Sequence, residues 1–113
     1  MKQTHEFYTV IEDIWYYDGP LLTYCKDLEG EDMLLYWVDY SDNTNTWLAS
    51  TIGDELYTKF KNKEADLRTC VLGAKSNILI ELDIHANVIS DRIINIIDFP
   101  NYLPENGCMY DID

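Results

Sequence analysis

The densest apolar stretch of the chain is Met33-Leu34-Leu35-Tyr36-Trp37-Val38-Asp39-Tyr40, in which every residue but Asp39 is apolar or aromatic. Bulky side chains of this kind pack well on a pleated surface, so the stretch predicts a strand. Simple alternation puts Leu34, Tyr36, Val38 and Tyr40 on one face, and Met33, Leu35, Trp37 and Asp39 on the other. Apolar character on both faces marks an interior strand covered on two sides. The polar cluster Ser41-Asp42-Asn43-Thr44-Asn45 follows, and then a second apolar run, Trp47-Leu48-Ala49-Ser50-Thr51-Ile52. Together they predict a β-hairpin around a polar loop of about five residues.

Upstream, residues 7–17 are rich in aromatic and β-branched types. They read as one strand or two short ones, with Tyr8, Val10, Ile14 and Tyr16 on one face, interrupted by Glu12. Asp18-Gly19-Pro20 is a turn and residues 21–26 a second strand. Asp27-Leu28-Glu29-Gly30-Glu31-Asp32 is an acidic turn in which Gly30 is free to take positive φ. The first half is therefore a β-meander of about four strands.

The period then changes. Leu56, Tyr57 and Phe60 fall at helical spacing, with Thr51 and Asp54 in the arrangement of a capping box. Asp54 and Glu55 at the start, and Lys59, Lys61 and Lys63 at the end, complement a helix dipole. A second short helix over residues 65–72 places Leu67, Cys70 and Val71 on one side and ends at Gly73 as a C-cap. Residues 77–84 alternate most cleanly: Ile78, Ile80, Leu82 and Ile84 face one way, while Leu79, Glu81 and Asp83 make a wet face. Residues 88–98 suit strand or helix, and β-branching favours strand for 93–97. Two prolines and Gly107 leave residues 99–113 as an irregular tail over the core.

The predicted fold is α+β. An antiparallel sheet of five to six strands carries one or two helices on one face, covering the apolar side of the hairpin and of residues 78–84. At 113 residues the chain is one domain.

Charge changes the picture more than composition does. The chain holds 21 acids and 8 bases, a net charge of −13. Residues 1–58 carry 12 acids and 2 bases, and residues 76–113 carry 7 acids and 1 base. Between them, residues 59–75 form a basic island of 5 bases and 2 acids. Its plainest role is to complement helix ends. A field of this sign repels nucleic-acid phosphates and anionic membranes and attracts basic surfaces.

Candidate chemistry is sparse. Cys25, Cys70 and Cys108 lack CxxC spacing and there are two histidines, so no zinc-site pattern appears. The glycines are scattered singly, without a phosphate loop, and no G-x-S-x-G elbow occurs. Neither a cofactor nor a metal is expected. No apolar leader or run of membrane-spanning length is present, which with the cysteine usage points to reducing cytoplasm. Asp83 and His85, at alternate-residue spacing, are the one pair from which a small carboxylate/His enzyme site would be built.

What remains is a set of acids interleaved with aromatics: Tyr17 and Asp18 at the first turn, Asp39, Tyr40 and Asp42 entering the hairpin loop, and Trp47 leaving it. Alternate turns of a meander share one end of the sheet, which would gather these six into an acidic, aromatic end. Aromatic anchors inside an acidic rim suit a protein partner with a basic surface. The plainer alternative is that the acids are solvated turn residues.

The same residues carry a resemblance. Tyr17-Asp18-Gly19-Pro20-Leu21-Leu22, then Tyr36-Trp37-Val38-Asp39, then Trp47-Leu48, with a later Tyr102-Leu103-Pro104, resemble a group of short, acidic, uncharacterised bacterial and phage domains. The resemblance implies a bacterial or phage origin, a compact α+β domain and the cytoplasm of a producing or host bacterial cell. It supplies no catalytic residues. The expected function is a non-catalytic protein-binding module, such as an immunity protein, an antitoxin or a phage-encoded inhibitor of a defence protein. The alternatives are an acidic mimic of DNA and the small enzyme built on Asp83 and His85.

Overall fold

In the computed structural model, residues 8–16 and 20–110 are described. Six strands, β1 (Tyr8–Tyr16), β2 (Pro20–Asp27), β3 (Asp32–Ser41), β4 (Thr44–Thr51), β5 (Ser76–Leu82) and β6 (Val88–Ile94), form one antiparallel sheet in strict chain order. Two helices, α1 (Gly53–Lys61) and α2 (Leu67–Leu72), interrupt the meander between β4 and β5. Two 3-10 turns follow β6, at Ile96–Asp98 and Pro100–Tyr102. The architecture is the expected α+β meander.

Turn chemistry explains why β3 sits where it does. Asp27 Oδ1 accepts the backbone N–H groups of Glu29 and Glu31, both at 2.9 Å, and Gly30 takes φ 83°. The β3–β4 turn is tighter than the expected five-residue loop. Asp42 and Asn43 alone connect the strands, at φ 52° and 61°. Positive φ at both central residues matches the twist of paired strands, and Asp and Asn tolerate that region better than most side chains.

The helices cover one face of the sheet. Leu22, Leu34, Leu48 and Leu79 of that face pack with Tyr57, Phe60, Leu67, Cys70 and Val71. Tyr24 stacks on Tyr57 with ring centroids 4.0 Å apart. The C-terminal segment lies over the same layer through Phe99, Tyr102, Leu103 and Tyr110. It is pinned where the Leu67 N–H donates to the Cys108 carbonyl at 2.7 Å and Arg68 donates to the Pro104 carbonyl at 3.0 Å.

The face the helices cover is not the one anticipated. Ile80 and Leu82 belong to a second cluster on the opposite side, with Tyr8, Cys25, Met33, Leu35 and Ala49. Leu79, assigned to a wet face, is buried in the helix-side core. Register gives the reason: Leu79 lies opposite Leu48, which lies opposite Tyr36. The helices pack on that continuous apolar row. β5 is therefore buried on both faces, and Ile84 falls beyond the strand, exposed.

Bulges redirect two other strands. Val38 is an extra residue between the pairs Trp37↔Trp47 and Asp39↔Thr46. One extra residue reverses every later side chain. Tyr40 therefore pairs with Asn45 and Leu82 on the helix-free face, and Asp39 joins Thr46 and Glu81 on the helix side. In β1 the register slips past Ile11 and again past Ile14. Tyr8 and Val10 consequently lie on the helix-free side while Ile14 joins the helix-side core.

Local signals at the helix ends also differ from expectation. Thr51 does not cap α1: Ile52 occupies the N-cap without a side-chain bond, and Gly53 enters at φ 80°. α2 starts at Leu67 because Asp66 caps it, accepting the Thr69 N–H at 2.8 Å. Gly73 does end α2, but at φ −91°. Its value is space, since a Cβ there would sit 3.2 Å from the Thr69 carbonyl oxygen and 3.3 Å from Leu56. β6 ends at Ile94, earlier than predicted, because the Asn95 side chain accepts the Ile97 N–H and opens a 3-10 turn.

Candidate functional site

At the tip of the β3–β4 hairpin, Asp39, Tyr40 and Asp42 are exposed, Tyr40 by 51%. The Tyr40 hydroxyl is 3.1 Å from Asn43 Oδ1, to which it donates, and the Asp39 carboxylate accepts the Tyr40 N–H at 2.9 Å. These bonds fix the tip without consuming its charge. Trp47 is half-buried, directly opposite Trp37, whose indole N–H donates to Asn45 Oδ1 at 2.9 Å. Tyr40 and Trp47 thus share the helix-free face, while Asp39 stands on the other side of the strand. Tyr17 and Asp18 lie outside the described residues.

The helix-free face holds a feature that residue types alone do not single out. Met33, Ala49, Ile78 and Ile80 floor a groove of about 240 Å³. Asp27, Glu29 and Asp91 line it as carboxylates, and Leu28 stands beside it, 75% exposed. Two short helices on a six-stranded sheet can cover one face, so an apolar second face must either pack on itself or stay open. Counting apolar positions on both faces of the predicted strands was the signal available for it.

Other ionisable groups have structural partners. Asp32, buried, accepts from the Tyr24 hydroxyl and lies 2.8 Å from Lys26 Nζ. Burial, and then the bond to Asp32, push the Tyr24 phenol up. Burial does the same for Tyr57, helped by the nearby Glu12 carboxylate. Asp27, Glu29 and Glu31 bring carboxylate oxygens within 4.8 Å of one another, and Glu31 is paired with Lys75. Asp83 Oδ1 accepts the N–H groups of His85 and Asn87, both at 2.9 Å. Those bonds, the Asn87 one foremost, hold its carboxyl below the usual range. It is the cap of an exposed turn. The basic island is largely engaged: Lys59 pairs with Glu55, Lys61 lies over the Tyr57 ring, and Arg68 binds the Pro104 carbonyl.

Fold and surface together define the class: an α+β domain whose helices close one sheet face, leaving an acidic hairpin tip and an acid-lined apolar groove displayed on the rest. The chain belongs to DUF6575, a family of unknown function, whose model matches residues 8–113. No curated protein and no solved structure matches it. Among the described residues, no helix is long and apolar enough to cross a membrane.

Proposed function

We propose that this chain is a non-catalytic module that binds a basic surface of another protein. The class we favour is an immunity protein, an antitoxin or a phage-encoded inhibitor, in keeping with the bacterial and phage domains that its sequence resembles. The observation carrying the reading is Tyr40, a half-exposed aromatic ring beside a two-residue turn, with the exposed carboxylate of Asp42 in that turn and that of Asp39 on the opposite face of the strand. A pre-positioned aromatic loses little entropy on docking, and the acids close to it in the hairpin steer a cationic partner toward it. The net charge of −13 extends that steering over the whole surface.

The test is affinity capture from the source cell or its host, followed by binding kinetics of folded variants with the partner recovered. The reading requires Tyr40→Ala to speed dissociation and neutralisation of Asp39 and Asp42 to slow association. A partner whose rates are untouched by both changes would remove the hairpin tip from the interface. A partner of strongly acidic surface would end the reading altogether.

A further inference from the structure

We infer that the outer edge of β6, at the rim of the groove, accepts an extended, cationic segment of a partner protein, which adds to the sheet as a seventh strand. Among the described residues β6 pairs with β5 alone, so its second edge presents backbone donors and acceptors without a strand partner. Such an edge is a template for another chain unless it is blunted. The opposite edge is blunted: β1 suffers three register irregularities in nine residues. β6 has one, near its start, and runs regularly from Ser90 to Ile94.

The side chains of β6 fit the same use. Ile93 is 77% exposed and extends the apolar row Leu35–Ala49–Ile78 to the brink of the sheet. Asp91 lies opposite Ile80 and lines the groove, across from Asp27 and Glu29. The strand's one cation, Arg92, is turned to the helix side, 5.3 Å from the centre of the Phe99 ring. The face offered beside the free edge is therefore aliphatic and anionic. An added strand with an aliphatic residue beside Ile93 and a lysine or arginine two positions along, beside Asp91, would match both on the one face.

Charge argues against a second copy of this chain as the occupant. Two bodies of charge −13 repel each other. Antiparallel pairing of β6 with itself would also set Asp91 against Asp91 or Arg92 against Arg92 at its centre, a destabilising arrangement. The inference rests on the protein-binding reading for its biological meaning, though the site stands or falls separately.

The probe is a capped hexapeptide, Val-Thr-Lys-Thr-Val-Thr, which places Val and Lys on one face of a strand, titrated into isotopically labelled full-length protein and followed by NMR. Saturable shifts at residues 90–94 and 78–80, with slowed amide exchange along β6, are expected. Ile93→Lys and Asp91→Lys, both at exposed positions, should each weaken binding by about tenfold or more. The same peptide with Glu in place of Lys should not bind. A peptide of equal composition with the Lys moved to the opposite face, Val-Lys-Thr-Thr-Val-Thr, should bind no better than bulk attraction allows. The inference is overturned if the Glu peptide or the peptide with Lys on the opposite face binds as well, if the shifts map to β1 or the hairpin tip, or if nothing saturates at millimolar peptide. Concentration-dependent dimers protecting β6 without peptide would assign the edge to a second copy and overturn it too. A captured partner lost with Tyr40→Ala but retained by Ile93→Lys would defeat this inference and leave the broader reading intact. Peptide binding at β6 without any protein partner would do the reverse.

Discussion

Ser50 and Asn77, 27 positions apart in sequence, meet inside the helix-side core, where the Ser50 hydroxyl donates to Asn77 Oδ1 at 2.5 Å. The Asn77 amide in turn donates to the Val71 carbonyl at 3.1 Å, tying β4 and β5 to the end of α2. A buried polar group of this kind stabilises while satisfied and is costly once orphaned. Ser50→Ala should therefore cost about 1–3 kcal/mol, and Asn77→Ala at least as much, since it strands two partners. Urea unfolding of both, with the double variant less destabilised than the sum, would check this.

At the hairpin tip, charge and anchor should separate kinetically. Asp39→Asn with Asp42→Asn removes two charges while leaving residue 42 a side chain suited to its positive φ. Association with a basic partner should slow and lose salt dependence. Tyr40→Ala should instead raise the dissociation rate, costing about 1–3 kcal/mol if the ring is buried on docking. Stopped-flow or surface-binding kinetics at two salt concentrations distinguishes the two effects.

Asp66 links α2 to the C-terminal segment. One carboxylate oxygen caps Thr69, and the other accepts the Gly107 N–H at 2.8 Å. The Gly107 bond, then the Thr69 bonds, hold its pKa below the ordinary value. A lowered native pKa means stability that is fully present above the unfolded value of about 3.9 and is lost as pH falls through the native one. Acid should thus expose the Gly107 amide to exchange only as pH falls through that lowered native value, below the ordinary carboxylate range. Asp66→Ala should expose it at neutral pH and cost about 0.5–2 kcal/mol through the lost cap. Amide exchange at Gly107 against pH is the measurement.

The three thiols should react in order of exposure. Burial pushes both Cys25 and Cys70 up to about 12, and each is fully buried. Cys108 is half-buried in the C-terminal segment. A thiol reagent at mildly alkaline pH should modify Cys108 first and leave the other two until the protein unfolds. Early modification of Cys70 would mean that α2 opens on its own.

Much of the fold was legible because strand periodicity survives wherever the register is unbroken. The run from Met33 to Trp37 and the alternation from Asn77 to Leu82 both lie in regular pairs. Reading failed where one residue was inserted: past Val38 and Ile11 the alternation inverts, and nothing in those side chains announces it. It failed again on which face the helices choose. Ile78-Ile80-Leu82 is the purer apolar face by composition, yet Leu79 is the residue in line with Leu48 and Tyr36. That alignment is a long-range property of four strands. At the candidate site, Tyr40 and the acids around it were visible as a cluster. The groove was not, because its floor draws on three strands and its acidic rim on a turn and an edge.

The extra residue at Val38 has a consequence for how such a surface diversifies. A matching extra residue between Thr46 and Trp47 would restore simple alternation in the last turn of the hairpin, bringing Asp39 round to the helix-free face and sending Tyr40 away from it. An insertion that leaves every existing residue type in place would exchange an aromatic for a carboxylate in front of any docked molecule. The hairpin tip therefore works like a two-position dial, turned by chain length instead of by substitution, and a change in preferred partner would need no new chemistry at all.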